Sequence, residues 1–174
     1  MKKQKRNFRN LMLCSIFLIC CTHASLGQKV NISAGMGSPE LLNVGLRYQL
    51  DQAQIGLSFG SMPVKDESMV SFAGDVYYHF AGSSVLSNRR PWYGRGGLTW
   101  LRYETDNLID KHLYLNTRLG RDLYFSEKFG VNIDTGLSFE LHRERARKVP
   151  PGMWSFQLDF PVLPSVGIGF FYRI

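Results

Sequence analysis

Apolar side chains fall on every second position through most of this chain. In KVNISAGMG, Val30, Ile32, Ala34 and Met36 alternate with Asn31, Ser33 and Gly35. In LLNVGLRYQ, Leu42, Val44, Leu46 and Tyr48 oppose Asn43, Gly45, Arg47 and Gln49. QAQIGLSFG, VSFAGDVYYHF, PWYGRGGLTWLRY, HLYLNTRLG, FGVNIDTGLSFEL and PSVGIGFFYRI repeat the pattern. Successive side chains on a strand point to opposite faces, so a period of two predicts strands. No window after residue 28 shows a period of 3.6. Eight segments of nine to thirteen residues, with turn residues between them, predict an all-β barrel or sandwich.

One face of every segment is Leu, Val, Ile, Phe, Tyr and Trp; the other is Gly, Ser, Asn, Gln and charge. This alternation suits a membrane barrel with its apolar face outward. It also suits a soluble, lipocalin-like barrel whose apolar face lines a cavity for a small apolar ligand. Segment length favours the membrane, because a tilted strand crosses a bilayer in about 9–11 residues. Tyr48, Tyr78, Phe80, Trp92, Trp100 and Tyr172, near the segment ends, fit interfacial aromatic girdles. The expected fold is an eight-stranded antiparallel up-and-down transmembrane β-barrel. Its last strand runs to Ile174 and is expected to pair with the first, removing both edges.

With both ends periplasmic, external loops are expected at Ser38–Glu40, Ser61–Ser68, Glu104–Lys111 and from His142 onward. Periplasmic turns are expected at Gln49–Gln52, Ala81–Pro91 and Arg121–Lys128. WSFQLDF (154–160) keeps the parity of the last strand. It reads as an extension of that strand above the membrane, interrupted by Pro161 and Pro164.

The start of the chain changes the composition. MKKQKRNFRN is basic, and the eleven residues Leu11–Cys21 that follow are too short to span a bilayer. They fit a secretory signal, with small Ser25 and Gly27 ahead of a cut that leaves Gln28 first. Residues 1–27 are expected to be a cleavable signal peptide and 28–174 the barrel domain. The alternative, a lipidated Cys20 or Cys21, lacks the small residue expected just before it. All three cysteines leave with the signal, and with them disulfide and thiolate chemistry. The five basic residues of this segment also leave. A net charge of +7 then becomes 16 Lys+Arg against 14 Asp+Glu, or +2, which does not argue for nucleic acid.

The polar face carries Arg47, Arg95, Arg118 and Arg173 with Asp75, Asp134 and Glu140. An eight-stranded barrel is just wide enough for side chains to fill it, and buried charges must be paired. These seven residues are therefore expected to form a network across the lumen rather than an ion pathway. Asp134-Thr135-Gly136 spells the DTG of aspartic proteases, but such enzymes need two aspartates sharing a proton and no second copy occurs. A barrel acyl hydrolase acting on membrane lipid would need a serine, a histidine and an acid. His79, His112 and His142 are the histidines beyond residue 27; Gly56-Leu57-Ser58-Phe59-Gly60 spells G-x-S-x-G, but inside an alternating segment and not at the strand-to-helix turn a nucleophile elbow needs. Arg143, Arg145, Arg147 and Lys148 form a basic tip that, if external, would meet lipopolysaccharide phosphates. No metal-ligand spacing, phosphate-binding glycine loop or nucleic-acid motif occurs, and no cofactor is expected.

The ending PVLPSVGIGFFYRI, the hairpin LGRDLYFSEKFGVNIDTGLSF and the segment RRPWYGRGGLTWLRY resemble the small outer-membrane β-barrel domains of Gram-negative bacteria. These are the OmpA/OmpX-like and porin-family, PorT-like domains. The resemblance implies a non-enzymatic envelope protein in contact with outer-membrane lipid and lipopolysaccharide. It also implies that the barrel assembly machinery reads the C-terminal strand. Members typically end in an aromatic residue; here Ile174 is last and Tyr172 lies two places before it.

Overall fold

A computed structural model describes residues 29–64, 67–105, 108–147 and 161–174. Eight strands follow one another: β1 (Val30–Gly37), β2 (Leu41–Leu50), β3 (Ala53–Val64), β4 (Glu67–Ala81), β5 (Trp92–Thr105), β6 (Leu108–Tyr124), β7 (Phe129–Arg147) and β8 (Val162–Arg173). Each pairs antiparallel with its neighbour in sequence, and β8 pairs with β1 to close the barrel. The first residue of β1 and the last of β8 lie at one end, here called the terminal end; the β1–β2 turn marks the far end.

The apolar parity faces outward. Val44, Leu57, Val76, Leu98, Val166 and Ile168 are exposed, whereas Ser33, Gln54, Asp75, Arg95, Asn116 and Ser165 on the opposite parity are buried. The lipocalin-like reading falls on this point: the enclosed face is polar and charged. The aromatic residues form two belts on the outer wall. Tyr78, Phe80, Trp92 and Tyr172 surround the terminal end, where Phe125, Phe129 and Phe170 stack with ring centroids 5.9 and 6.0 Å apart. Trp100 belongs to the other belt, as part of a cross-strand row Phe59–Phe72–Trp100–Leu113. On β4 the belts lie six to eight residues apart, from Phe72 to Tyr78 and Phe80. That is roughly 20–26 Å along the strand.

The wall is uneven. β1 has 8 residues and β2 has 10, while β6 has 17 and β7 has 19. Two of the expected external loops are consequently ladder. β3 and β4 stay paired to Val64↔Glu67, and β5 and β6 to Glu104↔Ile109. Beyond the apolar belt Arg102, Glu104 and Lys111 take the outward parity while Met69, Leu101 and Tyr103 take the inward one, so the hydrophobic period of the wall stops while backbone pairing continues. β7 likewise runs through His142 to Arg147, with a register shift opposite Leu113/Tyr114. WSFQLDF lies outside the described residues.

Pro164 is inside β8 and opposite Leu137, where an interruption was expected. The neighbouring Val166 carbonyl accepts from Ser38 N at 3.0 Å, so this backbone parity points toward β1. β1 pairs with β8 only as far as Gly37↔Gly167. The missing N–H of Pro164 therefore costs no ladder bond. At the terminal end, β2 and β3 are joined by Asp51-Gln52, with Asp51 at φ 54, a left-handed conformation that Asp tolerates. The β4–β5 connection spans 82–91, and the β6–β7 turn shortens to 125–128.

Candidate functional site

Parity fixes which face a side chain takes, and barrel shear then fixes which inward side chains meet. Arg95 on β5 and Arg118 on β6 are directly opposite each other in register. Like charges so placed repel, and both are buried, so the pair requires acids between them. Two carboxylates bridge both guanidiniums. Asp134 of β7 lies 2.9 Å from Arg118 and 3.5 Å from Arg95. Glu40 presents one oxygen to Arg95 at 2.9 Å and the other to Arg118 at 2.5 Å. Asp75 of β4 adds a bond to Arg95 at 2.7 Å, and Tyr93 donates its hydroxyl to Asp134 at 2.9 Å. Arg47 completes the layer, with its guanidinium 4.6 Å from the Tyr77 ring centroid and 3.4 Å from Asn132 Oδ1. Three arginines and three acids thus share one buried layer. A cavity of about 30 Å³ beside them has the size of a water or two.

Of the seven residues expected in a lumen network, Arg47, Asp75, Arg95, Arg118 and Asp134 come together and two do not. Glu140 is inward but sits nearer the far end, where it bonds His112 Nδ1 at 3.1 Å. Arg173 is at the terminal end, donating to Ser87 Oγ at 2.8 Å. Alternation gives the face of a residue but not its height, and these two have the right face at the wrong heights.

Glu40 was expected in an external loop. It is instead 1% exposed, inside the barrel. The short turn Ser38-Pro39-Glu40 folds inward: Arg118 Nη2 and Ser165 Oγ donate to the Ser38 carbonyl at 2.6 and 2.8 Å, and Ser71 Oγ donates to the Glu40 carbonyl at 2.7 Å. Gly60 makes this possible, since a Cβ there would run into the Glu40 carbonyl oxygen.

A second layer closes toward the terminal end. Arg89, from the 82–91 connection, turns into the barrel and bonds Asp122 at 2.7 Å, Gln49 Oε1 at 2.6 Å and the Tyr124 hydroxyl at 3.0 Å. Its guanidinium also lies 5.2 Å from the Phe171 ring centroid. Neither Glu40 nor Arg89 belongs to an alternating segment. The only sequence signal for either was a charge within a turn.

The remaining candidates separate. Asp134 is held by two arginines and a tyrosine, and Thr135 is exposed on the outer face, so DTG forms part of the lumen layer. His79 bonds the Arg90 carbonyl at 2.8 Å and His112 bonds Glu140; neither bond is to a serine hydroxyl. In the basic tip, Arg145 is bonded to Asp110 at 2.8 Å and Arg143 to the same carboxylate at 3.2 Å. Arg147 ends β7, and Lys148 lies outside the described residues. Among the described residues, no group of three or more His, Cys, Asp and Glu could hold a metal ion.

No family model matches the chain, and no curated protein matches it. Solved structures do. The N-terminal β-barrel domain of Pseudomonas aeruginosa OprF superposes with a TM-score of 0.54 at 20% identity, covering 84% of this chain and 99% of that one. Acinetobacter baumannii CarO gives 0.47 at 12% identity, covering 85% and 98%. Neisserial surface protein A gives 0.46 at 10% identity, covering 83% and 94%. At such identities the likeness to OprF is one of fold. The shared architecture is the closed eight-stranded antiparallel β-barrel, the fold that the sequence resemblance implies.

Proposed function

We propose that this chain is a non-enzymatic outer-membrane β-barrel protein whose lumen is closed by its own side chains. Its role is structural in the envelope, or in surface interaction. The observation that carries this reading is the inversion of the two faces. The outer wall is an apolar band between two aromatic belts, and the lumen holds a buried, charge-balanced cluster. An outward apolar band flanked by aromatic residues is the surface that outer-membrane barrels present to lipid. Such a surface in water would far exceed the few hundred Å² of contiguous apolar patch usual for soluble monomers.

Residues 1–27 serve as the export signal and 28–174 as the barrel. The partners are outer-membrane lipid along the band, and the barrel assembly machinery through the C-terminal strand. Lipopolysaccharide lies at the far end, where the tip of β7 carries its arginines. Arg143, Arg145, Arg147 and Lys148 are the candidates for phosphate contact, and of these Arg143 and Arg145 share Asp110.

The test begins with outer membranes from the expressing cell, solubilised in SDS and run boiled and unboiled. A closed barrel shifts in mobility on boiling. A protein in the soluble periplasmic fraction with no shift would sink the proposal. Reconstitution in planar bilayers tests the closure: no steady conductance is expected, and an open channel would overturn it.

A further inference from the structure

The terminal end holds a second arrangement that does not depend on the closure proposed above. Arg89 and Arg173 flank one aromatic ring, with guanidinium carbons 5.7 and 5.1 Å from the Tyr124 centroid. Only Arg89 has a carboxylate, Asp122. Among the described residues, Arg173 donates to Ser87 Oγ at 2.8 Å and to the Glu127 carbonyl at 3.4 Å, both neutral oxygens. Among the described residues no carboxylate lies within ion-pair distance of Arg173, and Asp122, whose charge reaches it, is already bonded to Arg89. Beside Arg173 lies Asn31, 1% exposed, whose amide nitrogen has no hydrogen-bond partner. Buried donors of this kind are rare and call for a partner.

Both groups line a cavity of about 580 Å³ that opens at the terminal end. Its two acidic lining residues, Asp51 and Glu127, are exposed and form no ion pair with Arg173 among the described residues. The lip carries apolar side chains held out to solvent: Val85 is fully exposed and Leu86 partly so. The amides of Gln49 and Gln52 line the wall between lip and arginine.

From this geometry we infer that the terminal-end mouth binds the free carboxylate end of a short peptide with an apolar last residue. The carboxylate meets the Arg173 guanidinium and the Asn31 amide, in the charge-assisted geometry arginine favours. The apolar side chain rests on Val85 and Leu86.

The test uses the full chain refolded in detergent micelles, titrated with N-acetyl-trialanine as its free acid and as its C-terminal amide. Saturable binding of the acid is expected, with the amide about tenfold weaker or more, since it loses a charge-assisted bond. Arg173→Gln should weaken acid binding by a similar factor while the unboiled gel mobility stays unchanged. If Arg173→Gln fails to fold, Asn31→Ala gives the second reading, with a several-fold loss expected. Equal binding of acid and amide would overturn the assignment, as would the absence of saturable binding. Displacement of the peptide by equimolar inorganic phosphate would mark a bare anion site and overturn it too.

Discussion

The two charged layers of the lumen are built from opposite materials. Toward the far end, an acid on a three-residue turn, Glu40, is inserted between arginines supplied by the wall. Toward the terminal end, an arginine on a ten-residue connection, Arg89, is inserted against an acid and aromatic rings supplied by the wall. The first is the deeper and more heavily bonded. Its carboxylate bridges two buried guanidiniums, which face each other across adjacent strands. The second rests on one ion pair, two neutral oxygens and a ring face, beside an open mouth. A wall alone does not fill a barrel of this width; in both layers a connection supplies a completing charge, an acid where the wall has three arginines to two acids and an arginine against Asp122.

The contrast can be broken most severely at Arg118. Arg118→Met removes a partner shared by Glu40 and Asp134 and leaves these two, with Asp75, three buried acids on Arg95 alone. A loss of about 3–5 kcal/mol is expected in urea unfolding of the lipid-reconstituted protein. A loss below about 1 kcal/mol would mean the far-end layer is not the tightly coupled one.

Exchanging the plugs for alanine comes next. Glu40→Ala should cost about 2–4 kcal/mol, because it leaves the facing arginines with only Asp75 and Asp134. On the closure proposed above, it should also produce measurable ion conductance. Arg89→Ala should cost about 1–3 kcal/mol, since Asp122 keeps its bond from Tyr124 at 3.1 Å, and should leave the bilayer silent. The two changes should add within about 0.5 kcal/mol if the layers are independent. Conductance from Arg89→Ala, with none from Glu40→Ala, would reverse the order of the layers.

A gentler probe is Gly60→Ala. The added methyl meets the Glu40 carbonyl and backbone of its turn, so about 1–3 kcal/mol of strain is expected with all charges still present. Conductance with Gly60→Ala intermediate between wild type and Glu40→Ala would show that position, and not charge alone, makes the seal. The smallest effect belongs to Lys111→Ala on the tall hairpin. Its bond to Glu144 spans 3.0 Å between exposed side chains, so less than about 1 kcal/mol is at stake, and salt should shrink it further.

What the sequence made legible follows the same division. Every alternating segment became a strand with its apolar face outward, because a period of two constrains the backbone and the environment together. Five of the seven expected lumen residues meet in one layer, since they share both face and height. Glu140 and Arg173 share only the face. Glu40 and Arg89 stayed hidden because a turn has no parity; their inward course depends on room left by distant residues such as Gly60. The polar upper ladders of β3 to β7 read as loops for a related reason. Hydrophobic alternation reports a boundary between oil and water, and above the belt Arg102, Glu104 and Lys111 stand at the outward positions that apolar side chains hold on the wall.

The short first strand has a kinetic consequence. The circle is completed where β8 meets the eight residues of β1, whereas β6 and β7 pair from Leu108↔Arg147 to Tyr124↔Gly130. A ring opens at its briefest join, so backbone amides along β1–β8 should exchange with solvent before those of β6–β7. The turn that delivers Glu40 leaves from the end of that same join, and Ser38 N and Ser165 Oγ tie it to β8. The clasp of the ring and the stopper of its bore are thus one piece of chain, and whatever loosens the one shortens the lifetime of the other.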